Sequence, residues 1–287
     1  MIRFILFFLC LFGTAHLQPS LLTKDSRPTQ ELQELLEFLG MDSGGDLQQI
    51  VSITQQKWVQ LGKERWEYEP VDEEKKPLLL PYFKNLGMVN AIDARQIHYD
   101  YALIHGALHS TVQKRIAHLV TQFNRGVRFK QVVLLTGQRL LDPKTSEKDL
   151  PFQTEAEMML WVWENFDMPQ ELKKIPYLLI DATAGNKARP NTADTLAAWL
   201  KTNPKPGSCL LVSSQPFCGY QDCVAKTILP PSFVTETIGK ESAPGVTVAV
   251  YLDNLGRWLY QEINCRGLWT SPTKKSISFA MEKQSGP

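Results

Sequence analysis

Apolar residues recur along this chain in two registers, and the change between them marks its organisation. Between residues 30 and 39, Leu32, Leu35, Leu36 and Leu39 fall on one helical face, and Gly40 follows where a helix-ending glycine belongs. A second helical stretch carries Leu47, Ile50, Val51, Trp58 and Leu61 at three- and four-residue steps, with Ser43 and Asp46 as N-cap candidates. A charged stretch, 67–76, ends this region and leads to Pro77 and Pro81, which flank three leucines. The pattern predicts a helical hairpin over 29–66 that packs on, or in front of, a main domain.

From about residue 98 the texture changes to short apolar runs alternating with amphipathic helices. Runs at 101–105, 131–136, 177–181 and 208–213 read as buried strands, and 246–252 as a fifth that leads into a helix over 253–262. Helices are predicted at 110–125, where Val112, Ile116, Leu119, Val120 and Phe123 share a face, at 154–166 and at 192–200. Thr154 with Glu157 has capping-box spacing. Trp161 and Trp163, two apart on a helix, cannot both face the core. This alternation predicts an α/β fold: a Rossmann-like, mainly parallel sheet with helices on both faces, preceded by an N-terminal helical hairpin. The expected organisation is a signal peptide over 1–15, a helical region and linker over 16–97, the Rossmann-like α/β domain over 98–265, and a flexible tail over 266–287.

The amino end has the three-part pattern of a secretory signal. Arg3 gives a basic start, 4–12 form an apolar run, and Gly13, Thr14 and Ala15 supply small residues for cleavage. The run is shorter than the roughly 20 residues a spanning helix needs. Export to the periplasm or the exterior is therefore expected, with no stable membrane span after cleavage. Cys209, Cys218, Cys223 and Cys265 then remain, too few for a disulfide scaffold in a chain of 287 residues. Cys218 and Cys223 either close a small loop in an oxidising compartment or stand unpaired on a turn and an adjoining helix. At 43% hydrophobic and 21% charged, the composition is that of a globular protein. The net charge of +1 leaves no electrostatic footprint for nucleic acid or an anionic membrane surface.

Parallel sheets place ligands beyond the carboxyl ends of their strands, where strand order reverses. That rule selects His105, Gly106, Thr136, Gly137, Arg139, Asp181, Ser213 and Ser214. Gly106 and Gly137 would allow close backbone approach, and Arg139 would offer a planar donor fork to phosphate or carboxylate. Asn191 and Thr192 would add amide and hydroxyl donors from the opposite rim. Glu155 and Asp194, both at helix starts, are candidate catalytic acid and base if they converge, and the same positions suit helix capping. No dinucleotide glycine fingerprint or P-loop is present, and no nucleophile elbow surrounds Ser213 or Ser214. His105 and His109 lie four apart but straddle a strand end and a loop, so no metal site is predicted. The expectation is a pocket for a small anionic or nucleotide-like ligand; no cofactor is assigned, and catalysis is left open.

The order of these segments resembles the SanA/ElyC/YdcF-like family of bacterial envelope proteins over about 99–262. Ile104, His105 and Gly106 look like its first strand and glycine loop, and Lys114 and Arg115 like its Arg-bearing helix. Leu135 to Gly137 match its second strand end, Thr154 to Met159 its Ser/Thr-Glu-Ala helix start, Asn191 to Thr195 part of its Asn-Thr motif, and Val212 to Ser214 its Thr-Ser strand end. Leu252 to Leu255, with Arg257 and Trp258, are also similar to its closing segment. The family usually carries a His and an Arg after the Thr-Ser loop; Gln215 to Tyr220 supply neither. The resemblance implies a Rossmann-like fold, a role in the cell envelope and, for some members, nucleoside-type cofactor binding. The alternative is a non-catalytic secreted interaction protein on a degenerate Rossmann-like scaffold.

Overall fold

The computed structural model describes residues 19–145, 147–183, 185 and 189–269. The expected signal peptide and most of the expected tail lie outside the described residues. Three helices come first: α1 (Gln30–Phe38), α2 (Leu47–Trp58) and α3 (Lys76–Asn85). Thr29 caps α1 by accepting the Leu32 N–H. Pro77 stands in the first turn of α3, where its missing N–H is no loss, and Pro81 sits inside the helix. The expected hairpin thus has a third member in the stretch read as linker.

The alternating part follows as β1 (His98–His105), α4 (His109–Asn124), β2 (Arg128–Gly137), α5 (Glu155–Asn165), the single turn α6 (Gln170–Lys173), β3 (Tyr177–Ala182) and α7 (Thr192–Leu200). It ends with β4 (Ser208–Ser214), α8 (Cys218–Ile228), β5 (Val234–Lys240) and α9 (Val248–Cys265). The five strands form one parallel sheet in the order β3-β2-β1-β4-β5. Strand order reverses at β1, which pairs with β2 on one side and β4 on the other; Ile104 stands opposite Leu134 and Val212.

Alternate residues along these strands serve opposite faces. Ala102, Ile104, Val132, Leu134, Leu210 and Val212 pack under α4 and α5 through Val112, Ile116, Leu119, Met158, Met159 and Val162. Leu103, Val133, Leu135, Cys209 and Leu211 pack under α7 and α8 through Leu196, Trp199, Val224 and Ala225. Trp163 is buried and Trp161 is 46% exposed, as their two-residue spacing requires. α9 packs along α8 and carries α1, α2 and α3 on its far side, burying Leu252, Leu255, Leu259 and Ile263 against Leu32, Leu36, Ile50 and Phe83. Phe83 stacks on Tyr251 with ring centroids 4.5 Å apart.

One expected strand is corrected. Residues 246–252 do not enter the sheet: Thr247 caps a helix by accepting the Val250 N–H, and the apolar run forms the first turns of α9. Buried residues surround that helix on several sides, so its apolar positions are nearly continuous and imitate a strand. The fifth strand is Val234–Lys240, whose polar Glu236 and Thr237 are buried.

Candidate functional site

The reversal of strand order brings the carboxyl ends of β1 and β4 side by side, and α4 sends one charged side chain between them. Arg115 lies on the buried face of α4 and is 3% exposed. Its Nη1 donates to the carbonyls of His105 and Gly106, each at 2.8 Å, and its Nη2 donates to Ser214 Oγ at 3.3 Å. No described carboxylate forms an ion pair with Arg115, and its buried Nε has no partner. Desolvation, with the like charge of Arg65 nearby, pushes Arg115 down to about 10. His105, 2% exposed, is likewise pushed down to about 3 by burial and the Arg115 charge, so it is neutral near neutral pH. Its Nε2 is also unpartnered. A buried cation and a neutral imidazole, each with an unused nitrogen, thus meet at the switch point of the sheet.

A second charged group stands beside them on the β2 side. Arg139 Nε donates to Glu155 Oε2 at 2.7 Å, while its Nη1 and Nη2 reach Glu147 at 2.8 and 3.1 Å. Burial works against the Arg139 charge, but the hydrogen bonds and charges of both carboxylates outweigh it and raise Arg139 above the ordinary arginine range. Burial also raises Glu155 above the usual carboxylate range, against the pull of Arg139. The donor fork that Arg139 was expected to offer a ligand is filled by Glu147 and Glu155, and its side chain is nearly buried. Glu147 in turn accepts the His109 N–H at 3.1 Å and so ties the loop after β2 to the start of α4.

The glycines of the strand ends face protein atoms. A side chain at Gly106 would collide with the Glu155 carboxylate, and one at Gly137 would meet the Pro190 ring. Thr136 Oγ1 donates to the Ile180 carbonyl at 2.7 Å, and Ser213 Oγ donates to Gln221 Oε1. Asn191 caps α7, accepting the N–H groups of Ala193 and Asp194, and Asp194 returns the bond to the Asn191 N–H at 2.9 Å. Thr192 opens that helix, and Asp181 is exposed on the edge strand. Glu155 and Asp194 therefore engage different partners, one beside Arg139 and the other in a capping box. Of the sequence-derived set, His105, Gly106 and Ser214 gather around Arg115; Glu155 adjoins Gly106; Asn191, Thr192 and Asp194 form a separate helix start. Among the described residues, no three His, Cys, Asp or Glu side chains converge to hold a metal ion.

The switch point is roofed by a segment whose role the sequence did not reveal. After α2 the chain crosses the strand ends before α3. The Gln60 N–H donates to Asp253 Oδ1 at 3.0 Å, and the Tyr68 phenol lies within electrostatic reach of the same carboxylate. Burial first and Asp253 second push the Tyr68 phenol up to about 12. Between these anchors the Arg65 guanidinium lies 4.1 Å from the centroid of the Phe217 ring, just beyond β4. Glu64 pairs with Arg189 at 2.9 Å, and Glu67 approaches Lys144 at 3.8 Å, so the strap touches the loops after β3 and β2 as well. Asp253 is itself held by Arg257 at 2.8 Å. Arg115 had a signal in the sequence: a charge beside the apolar stripe Val112, Ile116 and Leu119. Arg65 and Phe217 had none, because a contact between residues this far apart leaves no local pattern. Compared with protein families, curated proteins and solved structures, the chain matches none.

Proposed function

We propose that this is an exported Rossmann-like protein that binds a small anionic or nucleotide-like ligand at the carboxyl ends of β1 and β4, in envelope maintenance as its resemblance to the SanA/ElyC/YdcF-like family implies. The observation that carries the reading is Arg115: a buried cation with no carboxylate partner, its Nε unused, beside the unused Nε2 of His105. An unpaired buried charge is costly, and an anion supplied from outside would offset that cost. Arg65 adds a second positive charge within electrostatic range. The strap carrying Arg65 would have to lift or shift for such a ligand to enter, so binding and strap position are coupled in this reading.

Thermal-shift measurements with inorganic phosphate, nucleotides, sugar phosphates and lipid-linked precursors test it. A rise in melting temperature that depends on anion concentration supports the reading; no shift from any of them overturns it. The export component predicts a mature amino terminus near His16, and recovery of an intact chain from the cytoplasm alone would contradict it. A second reading, a secreted interaction protein, is favoured by a surface cavity of about 360 Å³ lined by Leu140, Leu141, Leu150 and Phe152, beside exposed Trp161. Leu140 there is 72% exposed.

A further inference from the structure

The four described cysteines are arranged differently from the alternatives their spacing left open. Cys218 and Cys223 lie on the same helix, five residues apart, and so point to different faces of α8. Cys218 opens α8 and sits against Gly239 of β5, on the sheet side. Cys223 faces α9 and belongs to the apolar cluster built around that helix. A bridge between these two would need α8 to unwind.

Contacts along α8 and α9 show what Cys223 meets instead. The two helices run in the same direction. Asn254 Nδ2 donates to the Pro216 carbonyl at 2.6 Å, and one turn further on Gly219 lies against the Trp258 ring. Cys223 follows Gly219 by four residues, one turn along the same face of α8. Cys265 follows Trp258 by seven and Asn254 by eleven, two and three turns along the same face of α9. Cys223 therefore stands level with about Glu262, one turn before Cys265, and Cys265 packs against the apolar cluster that holds Cys223, with the two thiols in interaction range. Cys265 Sγ also contacts the Glu262 carbonyl at 3.3 Å. Cys265 is half-buried and Cys223 lies behind it.

We propose that Cys223 and Cys265 form a disulfide that clasps the end of α9 to α8. The pair is asymmetric in a way that suits thiol–disulfide exchange. The neighbouring Cys223 thiol, with Lys226 and Arg266 nearby, holds Cys265 below the ordinary thiol range, while the same proximity and burial hold Cys223 above it. Cys265, the more accessible, is the attacking group. With oxidised glutathione as the disulfide donor, the Cys265 thiolate attacks one donor sulfur and expels a glutathione thiolate. The Cys223 sulfur then gives up its proton and attacks Cys265 Sγ, expelling the second glutathione. Two protein thiols are oxidised, one donor disulfide is reduced, and the two protons end on the two released glutathiones. The clasp does not depend on the anion reading.

The test equilibrates the full chain in glutathione buffers of graded ratio, quenches it in acid, alkylates free thiols and digests it with chymotrypsin. Cleavage after Phe217 and Tyr220 places Cys218 and Cys223 on different peptides, which trypsin would not do. The expected product is one linked peptide pair containing Cys223 and Cys265, lighter than the sum of its parts by two hydrogens, with Cys209 and Cys218 alkylated after unfolding. The oxidised chain should melt roughly 5–10 °C above the reduced one, and Cys265→Ser should abolish that difference. Separate alkylation of Cys223 and Cys265 in oxidising buffer, or stable glutathione on Cys265 without the linked pair, would overturn the proposal.

Discussion

Replacing Arg139 by alanine is the sharpest test of how the loop after β2 is held. The wild-type guanidinium neutralises two carboxylates at once, with the Glu147 side chain fully buried and that of Glu155 about one-tenth exposed. Arg139→Ala leaves both without their cation in a site closed to water. Removing one partner of a buried pair typically costs about 3–5 kcal/mol. At about 2–4 °C per kcal/mol for a chain approaching this size, the melting temperature should fall by roughly 6–20 °C. The loss should shrink as pH falls, because protonation of the stranded carboxylates removes the uncompensated charge. Glu147→Gln with Glu155→Gln in the same chain should restore part of the stability for the same reason. Urea unfolding at pH 7 and pH 5, followed by far-ultraviolet circular dichroism, reads the wild type and both variants. A loss below about 1 kcal/mol at pH 7 would refute the reasoning, since that is what an exposed ion pair is worth.

Two further perturbations test the packing and the buried histidine. Gly219→Ala places a methyl group into the Trp258 ring, itself fully buried, and should cost roughly 1–3 kcal/mol by denaturant titration; an unchanged midpoint would mean that α8 and α9 are not packed this closely. His105 has a folded pKa of about 3, below its unfolded value, so the unfolded chain binds the proton first as pH falls. Its contribution is complete above about pH 6.5 and is lost toward pH 3 at about 1.4 kcal/mol per unit; His105→Gln should flatten the stability profile across that window, and an identical slope in both proteins would contradict the burial of a neutral ring.

Much of the sheet was legible because its strands are buried on both faces and read as short apolar runs. The run Val132 to Leu135 has no alternative use, and Gly137 ends its strand where Pro190 leaves no room for a side chain. β5 was not legible for the opposite reason. Glu236 in its middle looks like a surface residue, yet it accepts hydrogen bonds from the Arg95 N–H and the Tyr99 hydroxyl, contacts more than a hundred residues away. The first turns of α9 misled in turn: Val248, Val250 and Tyr251 suit a strand locally, and only burial beneath α3 and against α8 selects the helix. The site divides likewise. The strand-end rule selected His105, Gly106 and Ser214, which the fold gathers around Arg115, whereas it read Arg139 as a ligand donor because Glu147 and Glu155 are visible as its partners only in three dimensions. Asn191 and Asp194 are a capping box, a pattern written in four adjacent residues that the search for acid–base pairs set beside a chemical role.

The proposed anion site centres on Arg115 at the junction of β1 and β4. Isothermal titration of wild type and Arg115→Gln with the anion that gives the largest thermal shift tests it most directly. A charged hydrogen bond in a desolvated site is worth about 1.5–3 kcal/mol, so the account predicts affinity roughly ten- to a hundredfold weaker in Arg115→Gln, with far-ultraviolet circular dichroism unchanged. Equal affinity in the two proteins, with the fold intact, would contradict it.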